Sequence, residues 1–222
     1  MMPTRNDLCV VLGAGGHARV ILDILLGAAL PVPCALLDAD SSRWGSAMMG
    51  VPILGGDDLL PALAQKGVRH FVVGAASVGH SRLRARLYDY AAALGFEPLP
   101  VIHSRATLSS WARVGPGVQA FASSVVNPGA VLGANVVVNT GAIVEHDCRI
   151  EDHVQIATGA RLCGTVHVAR GAYIGAAAVV RQGVAIGEGA CVGAGAVVVR
   201  DVPPGVVVAG CPADILKKKD RA

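Results

Sequence analysis

A six-residue register runs through the second half of the chain and constrains its fold more than any other feature. Steps of six from Leu108 land on Val114, Ala120, Val126, Leu132, Val138, Val144 and Ile150. The same step continues through Ile156, Leu162, Val168, Ile174, Val180, Ile186, Val192 and Val198, so that all sixteen positions of the register, Leu108 included, are apolar. Four residues after many of them stand further small or β-branched side chains: Val118, Ala130, Val136, Ala142, Cys148, Val154, Ala160 and Val166. A fixed period of this length marks a hexapeptide β-helix, in which short flat strands stack as coils around an apolar interior. Three hexads close one triangular coil, so residues eighteen apart are expected one above another. The composition fits a narrow stacked coil: 53% hydrophobic residues, only 4% aromatic, and 28 glycines.

The chain before the register reads differently. Leu8–Leu12 is a continuous apolar run that stops at Gly13-Ala14-Gly15-Gly16-His17, and an amphipathic segment follows from Ala18 towards Leu26. A buried strand, a tight glycine turn and a helix are the economical reading. Further strands are expected at Val32–Leu37, ending on Asp38, at Val51–Leu54, and at Phe71–Val73, ending on Gly74. Helices are expected at Asp57–Gln65 and Ser81–Leu94. This alternation indicates a small parallel sheet with helices on its faces, a Rossmann-like α/β module. Phe96–Ile102 is linker-like, so the expected domains are residues 1–102 and 103–222. Val206–Leu216 leaves the hexad pattern and is expected to fold back as a short strand or helix.

Bulk properties exclude several classes of partner. The net charge is only +3, and the sole basic run, Lys217-Lys218-Lys219, reads as a solvated terminus. Neither nucleic acid nor membrane is therefore an expected partner. Six cysteines form no CxxC and no Cys/His cluster, and read as small apolar fillers in a reducing cytoplasm. Arg5 and Asp7 break any signal-like apolar run, and no stretch is long enough to span a bilayer.

Two places carry chemistry. Gly13-x-Gly15-x-x-Ala18 matches the looser dinucleotide fingerprint: Gly13 permits the turn, Gly15 lets a phosphate approach, and the helix start supplies N–H donors. Asp38 stands where an acid accepts from a ribose hydroxyl or a base, and His17 is placed for phosphate or sugar. The module is short for a full dinucleotide fold, which favours a single nucleotide or a nucleotide-sugar. In the coil, Glu145-His146-Asp147 stands out among Gly, Ala, Thr and Asn. His146 should point outward, and a neutral imidazole beside a carboxylate takes protons near neutral pH, with Asp147 or Glu145 orienting the ring. His146, His153 and His167 fall in three different columns of an eighteen-residue coil, so no zinc site is expected. Cys148 lies at an inward position and reads as core, not as a nucleophile.

These residues resemble a known group, the bacterial sugar O-acyltransferases of the sialic-acid O-acetyltransferase type, which include N-acetyltransferases of nucleotide-linked amino sugars. The resemblance rests on Val11–Ala18, Leu36-Leu37-Asp38, Val138–Cys148 with its Asn-Thr…Glu-His-Asp-Cys run, and Val208–Ala213. It implies a left-handed parallel β-helix and a homotrimer, with acetyl-CoA as co-substrate in the groove between adjacent coils. It makes His146 the general base, supported by Asp147. It places Gly15, Gly16, His17 and Asp38, with Gly74, around the nucleotide, and Asn139 near the acceptor. Acetyl-CoA contacts fall on Gln155, Gly164, Ala176 and Ala194. Many relatives carry a second histidine nine residues after the first, where His153-Val154-Gln155-Ile156-Ala157 has Gln155. An amide donates to a thioester carbonyl but does not titrate.

The expected reaction is direct acetyl transfer from acetyl-CoA to the amine of a nucleotide-linked deoxy-amino sugar, a 4-amino sugar in particular, for bacterial surface glycans such as lipopolysaccharide. One rival is O-acetylation of a sugar hydroxyl with the same base. Another is a non-catalytic trimeric protein that binds nucleotide-sugars. A nucleotidyltransferase needs a larger catalytic domain than residues 1–98 provide.

Overall fold

Every landing of the six-residue register is the second residue of a two-residue strand in the computed structural model, which describes residues 8–27, 32–76 and 81–216. The basic tail and the first seven residues lie outside that range. Contacts divide the chain into two units, one made of residues 1–77 and 83–101, the other of residues 78–82 and 102–222.

The first unit is a six-stranded sheet. Its strands are β1 (Leu8–Leu12), β2 (Val32–Leu37), β3 (Ala47–Met48), β4 (Val51–Gly55), β5 (His70–Val73) and β6 (Glu97–Pro98), in the order β3-β4-β2-β1-β5-β6. All neighbours pair in parallel except the short β3, which is antiparallel to β4. Three helices accompany them: α1 (Gly16–Gly27), α2 (Leu60–Gln65) and α3 (Arg82–Ala93). Helix α1 buries Ala18, Ile21, Leu22 and Leu25, the three-and-four spacing of one helical face. On α3 the same spacing buries Leu87, Ala91 and, with them, the charged Arg84.

The second unit is a left-handed parallel β-helix with three faces. It opens with β7 (Val101–Ile102), and sixteen two-residue strands follow from β8 (Thr107–Leu108) to β23 (Val197–Val198). Residues eighteen apart pair in parallel, as in Leu108 with Val126, Val144 with Leu162 and Ile156 with Ile174. We number the faces in the order in which the chain enters them. Face one contains the strands ending at Ala120, Val138, Ile156, Ile174 and Val192. Face two contains those ending at Leu108, Val126, Val144, Leu162, Val180 and Val198, and face three those ending at Val114, Leu132, Ile150, Val168 and Ile186. The inward landings and the small residues four places on form one continuous core. At the open start of the stack Leu108 is half-buried against this core and Val114 is 40% exposed.

The corners account for eight of the 28 glycines. The third residue after each landing from Val114 to Val192 has a positive φ, fourteen corners in succession from Gly117 to Gly195. Eight are glycine; the others are Ser123, Asn135, Asp147, His153, Thr165 and Ala177. The left-handed conformation closes a tight corner, and a Cβ there meets the following carbonyl.

The chain's end departs from a simple tail. β24 (Val207–Gly210) still pairs in parallel on face one, with Cys191 opposite Val207, and then turns back as the antiparallel β25 (Ala213–Ile215). A core of single aliphatic layers has no slack to refill a void. Ile156→Ala, at a fully buried position, is expected to lower stability by about 2–5 kcal/mol, read as a fall in the thermal unfolding midpoint.

Candidate functional site

The glycine turn joins β1 to α1, and its glycines do two different jobs. Gly13 has a φ of +109°, and a Cβ there would stand 2.7 Å from the Ala75 backbone N. A Cβ on Gly74 would stand 2.6 Å from Val11 Cγ1 and 3.0 Å from Ala18 Cβ. Gly13 is required by its backbone conformation and by packing, and Gly74 by packing. Gly15 and Gly16 have ordinary φ and open space over them, so neither the turn nor the packing demands glycine. That open floor, at the N-terminus of a twelve-residue helix, suits an anionic group drawn against backbone N–H donors.

Asp38 is turned towards the protein. Its Oδ2 accepts from Ala14 N at 2.6 Å and its Oδ1 from Asp40 N at 2.9 Å. It braces the turn, with each oxygen already holding one amide. Trp44 Nε1 donates to the Asp38 carbonyl at 2.8 Å, and Arg43 Nη1 to the Ala14 carbonyl at 2.5 Å. Sequence reasoning missed Arg84. It is fully buried and donates to the carbonyls of Val73 (3.0 Å) and Ala75 (2.7 Å), with His17 Nε2 3.5 Å away. Burial pushes its guanidinium down to about 9, which leaves it cationic at neutral pH beside the turn. The signal was available: Arg84 lies on the helical stripe of Leu87 and Ala91.

In the coil, His146 occupies the corner between β14 (Ile143–Val144) on face two and β15 (Arg149–Ile150) on face three. Its Nδ1 lies 2.9 Å from Asp147 Oδ2. With Asp147 ionised, Nδ1 carries the proton and Nε2 keeps a free lone pair. Glu145 plays a different part, since its Oε2 accepts from His146 N at 3.3 Å. Asp147, not Glu145, therefore orients the ring. The two side chains are 52% and 64% exposed, so the pair adds little to stability.

Glycines make room for this pair. A Cβ on Gly164, one coil further on, would stand 2.5 Å from His146 Cε1 and Nε2, while a Cβ on Gly129, one coil before, would collide with Asp147 Oδ1. The ring lies on Gly164 and the carboxylate over Gly129.

Ala176 and Ala194 stand exposed at the other edge of face two, in one column, with Asn139 in the neighbouring column. Asn139 Oδ1 accepts from Thr140 N at 2.7 Å. Asn139, His146, Gly164, Ala176 and Ala194 thus all border face two. Gln155 does not. It belongs to β16 (Gln155–Ile156) on face one, opposite the corner of His146, is 6% exposed, and donates from Nε2 to Ser81 Oγ at 2.9 Å. The six-residue period brings position 155 onto that face, so one chain does not bring Gln155 to His146. His153 is buried with its Nδ1 3.0 Å from Asn135 Nδ2, and His167 Nε2 lies 2.9 Å from Glu151 Oε1.

Cys148 is 1% exposed, its Sγ donates to the Cys163 carbonyl at 3.1 Å, and burial pushes its thiol up to about 11. A protonated core thiol is no nucleophile. Cys148→Ala is expected to keep kcat within about twofold, because nothing reactive is removed. Gly164→Ala, which must push the imidazole aside, is expected to lower kcat about 100-fold with little change in the unfolding midpoint; steady-state kinetics beside thermal melts checks both.

No curated protein sequence matches the chain. Residues 9–91 match the PglD N-terminal domain. Among solved structures, a histidine-to-alanine variant of GDP-perosamine N-acetyl transferase from Caulobacter crescentus, in complex with CoA and GDP-perosamine, is 37% identical. The match covers 95% of this chain and 97% of that one, with a TM-score of 0.89. The acetyltransferase domain of PglB from Neisseria gonorrhoeae, in complex with acetyl coenzyme A, is 38% identical over 95% and 100% of the two chains, with a TM-score of 0.84. WeeI from Acinetobacter baumannii is 28% identical over 94% and 99%, with a TM-score of 0.75. With its Rossmann-like module, its β-helix and these full-length likenesses, the chain belongs to the hexapeptide-repeat nucleotide-sugar acetyltransferases that carry a PglD-type N-terminal domain.

Proposed function

We propose that this protein moves the acetyl group of acetyl-CoA to the amine of a nucleotide-linked deoxy-amino sugar, with a 4-amino sugar favoured. The observation that carries the reading is the exposed His146–Asp147 pair seated on Gly164. It occurs in a chain that spans 97% of an N-acetyl transferase solved with CoA and GDP-perosamine.

The acceptor nitrogen attacks the thioester carbonyl carbon while Nε2 of His146 takes the proton that the amine sheds. Asp147 stabilises the imidazolium that forms and holds the ring in its tautomer. Collapse of the tetrahedral intermediate breaks the C–S bond, and the imidazolium returns the proton to the CoA thiolate. No acyl-enzyme is required, in keeping with the buried Cys148. Gly164, Ala176 and Ala194 would hold the donor along face two. Gly15, Gly16 and His17 would take the nucleotide end of the acceptor, with Asp38 and Gly74 shaping that turn and Arg84 supplying a fixed positive charge.

A homotrimer fits the same geometry. The outward residues of face two include Val125, Ile143, Val179 and Val197, all half-buried and apolar, the composition of a surface covered by another copy. His146 and Gln155 lie on opposite sides of one coil, so both reach one acetyl group only across two copies. Gln155 would then steady the thioester carbonyl by hydrogen bonding. Six free thiols suit a reducing, cytoplasmic setting, and no helix among the described residues is long and apolar enough to cross a membrane. Surface-glycan biosynthesis is the process such a product would enter.

The test is CoA release from acetyl-CoA with a panel of nucleotide-linked 4-amino sugars, beside free sialic acid and free amino sugars. Release with a nucleotide amino sugar is expected. Release only with a hydroxyl acceptor would move the assignment to O-acetylation, and silence across the panel with CoA still bound would leave a non-catalytic binding protein. His146→Ala is expected to lower kcat by about 10²–10⁴-fold while CoA affinity, measured by calorimetry, is unchanged.

A further inference from the structure

The loop after β2, from Asp38 to Ser46, is held along most of its length. Asp40 Oδ1 accepts from Ser42 N at 3.0 Å and from Ser42 Oγ at 2.6 Å, Ser46 Oγ donates to the Arg43 carbonyl, and Gly45 N donates to the Ile53 carbonyl at 2.9 Å. With Arg43 bound to the Ala14 carbonyl, these bonds fix the loop beside the glycine turn. On it stands Trp44, 46% exposed. A single exposed apolar side chain is ordinary on a protein surface and asks for no explanation. Trp44 differs in being held in place. Its Nε1 donates to the Asp38 carbonyl, and its benzo edge lies close over Gly56, where a Cβ would stand 3.6 Å from Cζ2. Such a ring presents a preformed flat surface to a ligand, with its one N–H already used.

The indole lies where β2 and β4 end, since Asp38 N donates to the Gly55 carbonyl at 2.8 Å. Open parallel sheets bind their ligands outside the carboxyl ends of the strands. Asp38 also connects the indole with the proposed anion site. Its carboxylate accepts from Ala14 N in the glycine turn, and its carbonyl accepts from the indole. No other residue lies in that chain of contacts, so roughly 10 Å or less separates the Ala14 amide from the indole nitrogen. In a nucleotide one ribose joins the 5′-phosphate to the base over a comparable span. A phosphate on the open floor of Gly15 and Gly16 therefore brings its base within reach of Trp44.

We propose that Trp44 is an acceptor-binding residue whose indole stacks on the nucleobase of the nucleotide-linked amino sugar. This rests on the nucleotide-sugar reading above and names what holds the base. The two ends of the nucleotide are then held by different means, the diphosphate by backbone N–H groups and the base by a ring. Stacking of a base on an aromatic side chain tolerates many bases and is lost on truncation to alanine.

The chain has two tryptophans, Trp44 and Trp111, so Trp111→Phe leaves Trp44 as the sole indole reporter. UDP, GDP, dTDP and inorganic diphosphate are titrated into that variant by fluorescence, and into wild type, Trp44→Ala, Trp44→Leu and Trp44→Phe by calorimetry. The nucleoside diphosphate that binds wild type best is expected to quench Trp44 emission, and inorganic diphosphate to leave it unchanged. Trp44→Ala and Trp44→Leu are expected to raise its Kd about tenfold, and the KM for the nucleotide-linked amino sugar in parallel. Both should keep kcat at saturation and the KM for acetyl-CoA within about twofold, while Trp44→Phe retains most of the affinity. Equal affinity in wild type and Trp44→Ala, no quenching by a bound nucleoside diphosphate, or equal quenching by inorganic diphosphate overturns the stacking and leaves the nucleotide site standing. A wild type that binds none of the nucleoside diphosphates overturns the nucleotide-sugar reading, and Trp44 with it. A wild type that binds one of them but releases no CoA overturns acetyl transfer alone, and the titrations still decide Trp44.

Discussion

The structure depends on a backbone constraint, one left-handed residue at every corner of the coil. Fourteen corners in succession turn through positive φ at six-residue intervals. Between corners only two residues are extended, so each strand has one side chain inward and one outward. Everything else follows from that spacing. The inward positions can hold only aliphatic residues of limited size, and the outward ones are free to vary. For an L-residue the left-handed conformation costs roughly 1–2 kcal/mol, so glycine is the default, and each other residue there carries information. Asp147 is one of six such exceptions, and its carboxylate orients the imidazole.

The same constraint positions the chemistry. His146 precedes a left-handed corner and projects from it, while Asp147 at that corner folds back to the ring nitrogen. The flanking coils provide the space by omitting side chains at Gly129 and Gly164. A β-helix thus builds a site from three successive coils of one corner, each contributing one residue or the absence of one. Rigidity comes from the parallel ladders on both sides of the corner, not from the exposed His146–Asp147 hydrogen bond. In the first unit the logic differs. There a parallel sheet brings the ends of β1, β2 and β5 together, and two glycines, Gly13 and Gly74, let the backbones touch.

Much of this was legible from residues alone. Sixteen apolar positions in one register specify the coil, because neither a helix of period 3.6 nor a strand of period two generates a strict period of six. The run Glu145-His146-Asp147 stood out because its neighbours are small and neutral. What stayed hidden was which acid serves the histidine: both neighbours are carboxylates, and the corner geometry alone turns Asp147 towards the ring and Glu145 towards a backbone N–H. Asp38 reads from its position as a ligand for ribose, yet its oxygens are already held by two amides. Arg84 was concealed by its charge, since an arginine on a helix is expected in solvent, and only packing shows it behind the turn.

The sequence by itself determined the architecture, the order of its two modules and the outward histidine that stands out in the coil, because periodicity and a rare side chain are local properties. The tertiary structure decided which residues share a surface. Asn139, His146, Gly164, Ala176 and Ala194, scattered over 56 positions, border one face, while Gln155, nine positions from His146, lies across the coil. The reason is geometric: in an eighteen-residue triangular coil, neighbourhood is set by position within the turn, not by distance along the chain.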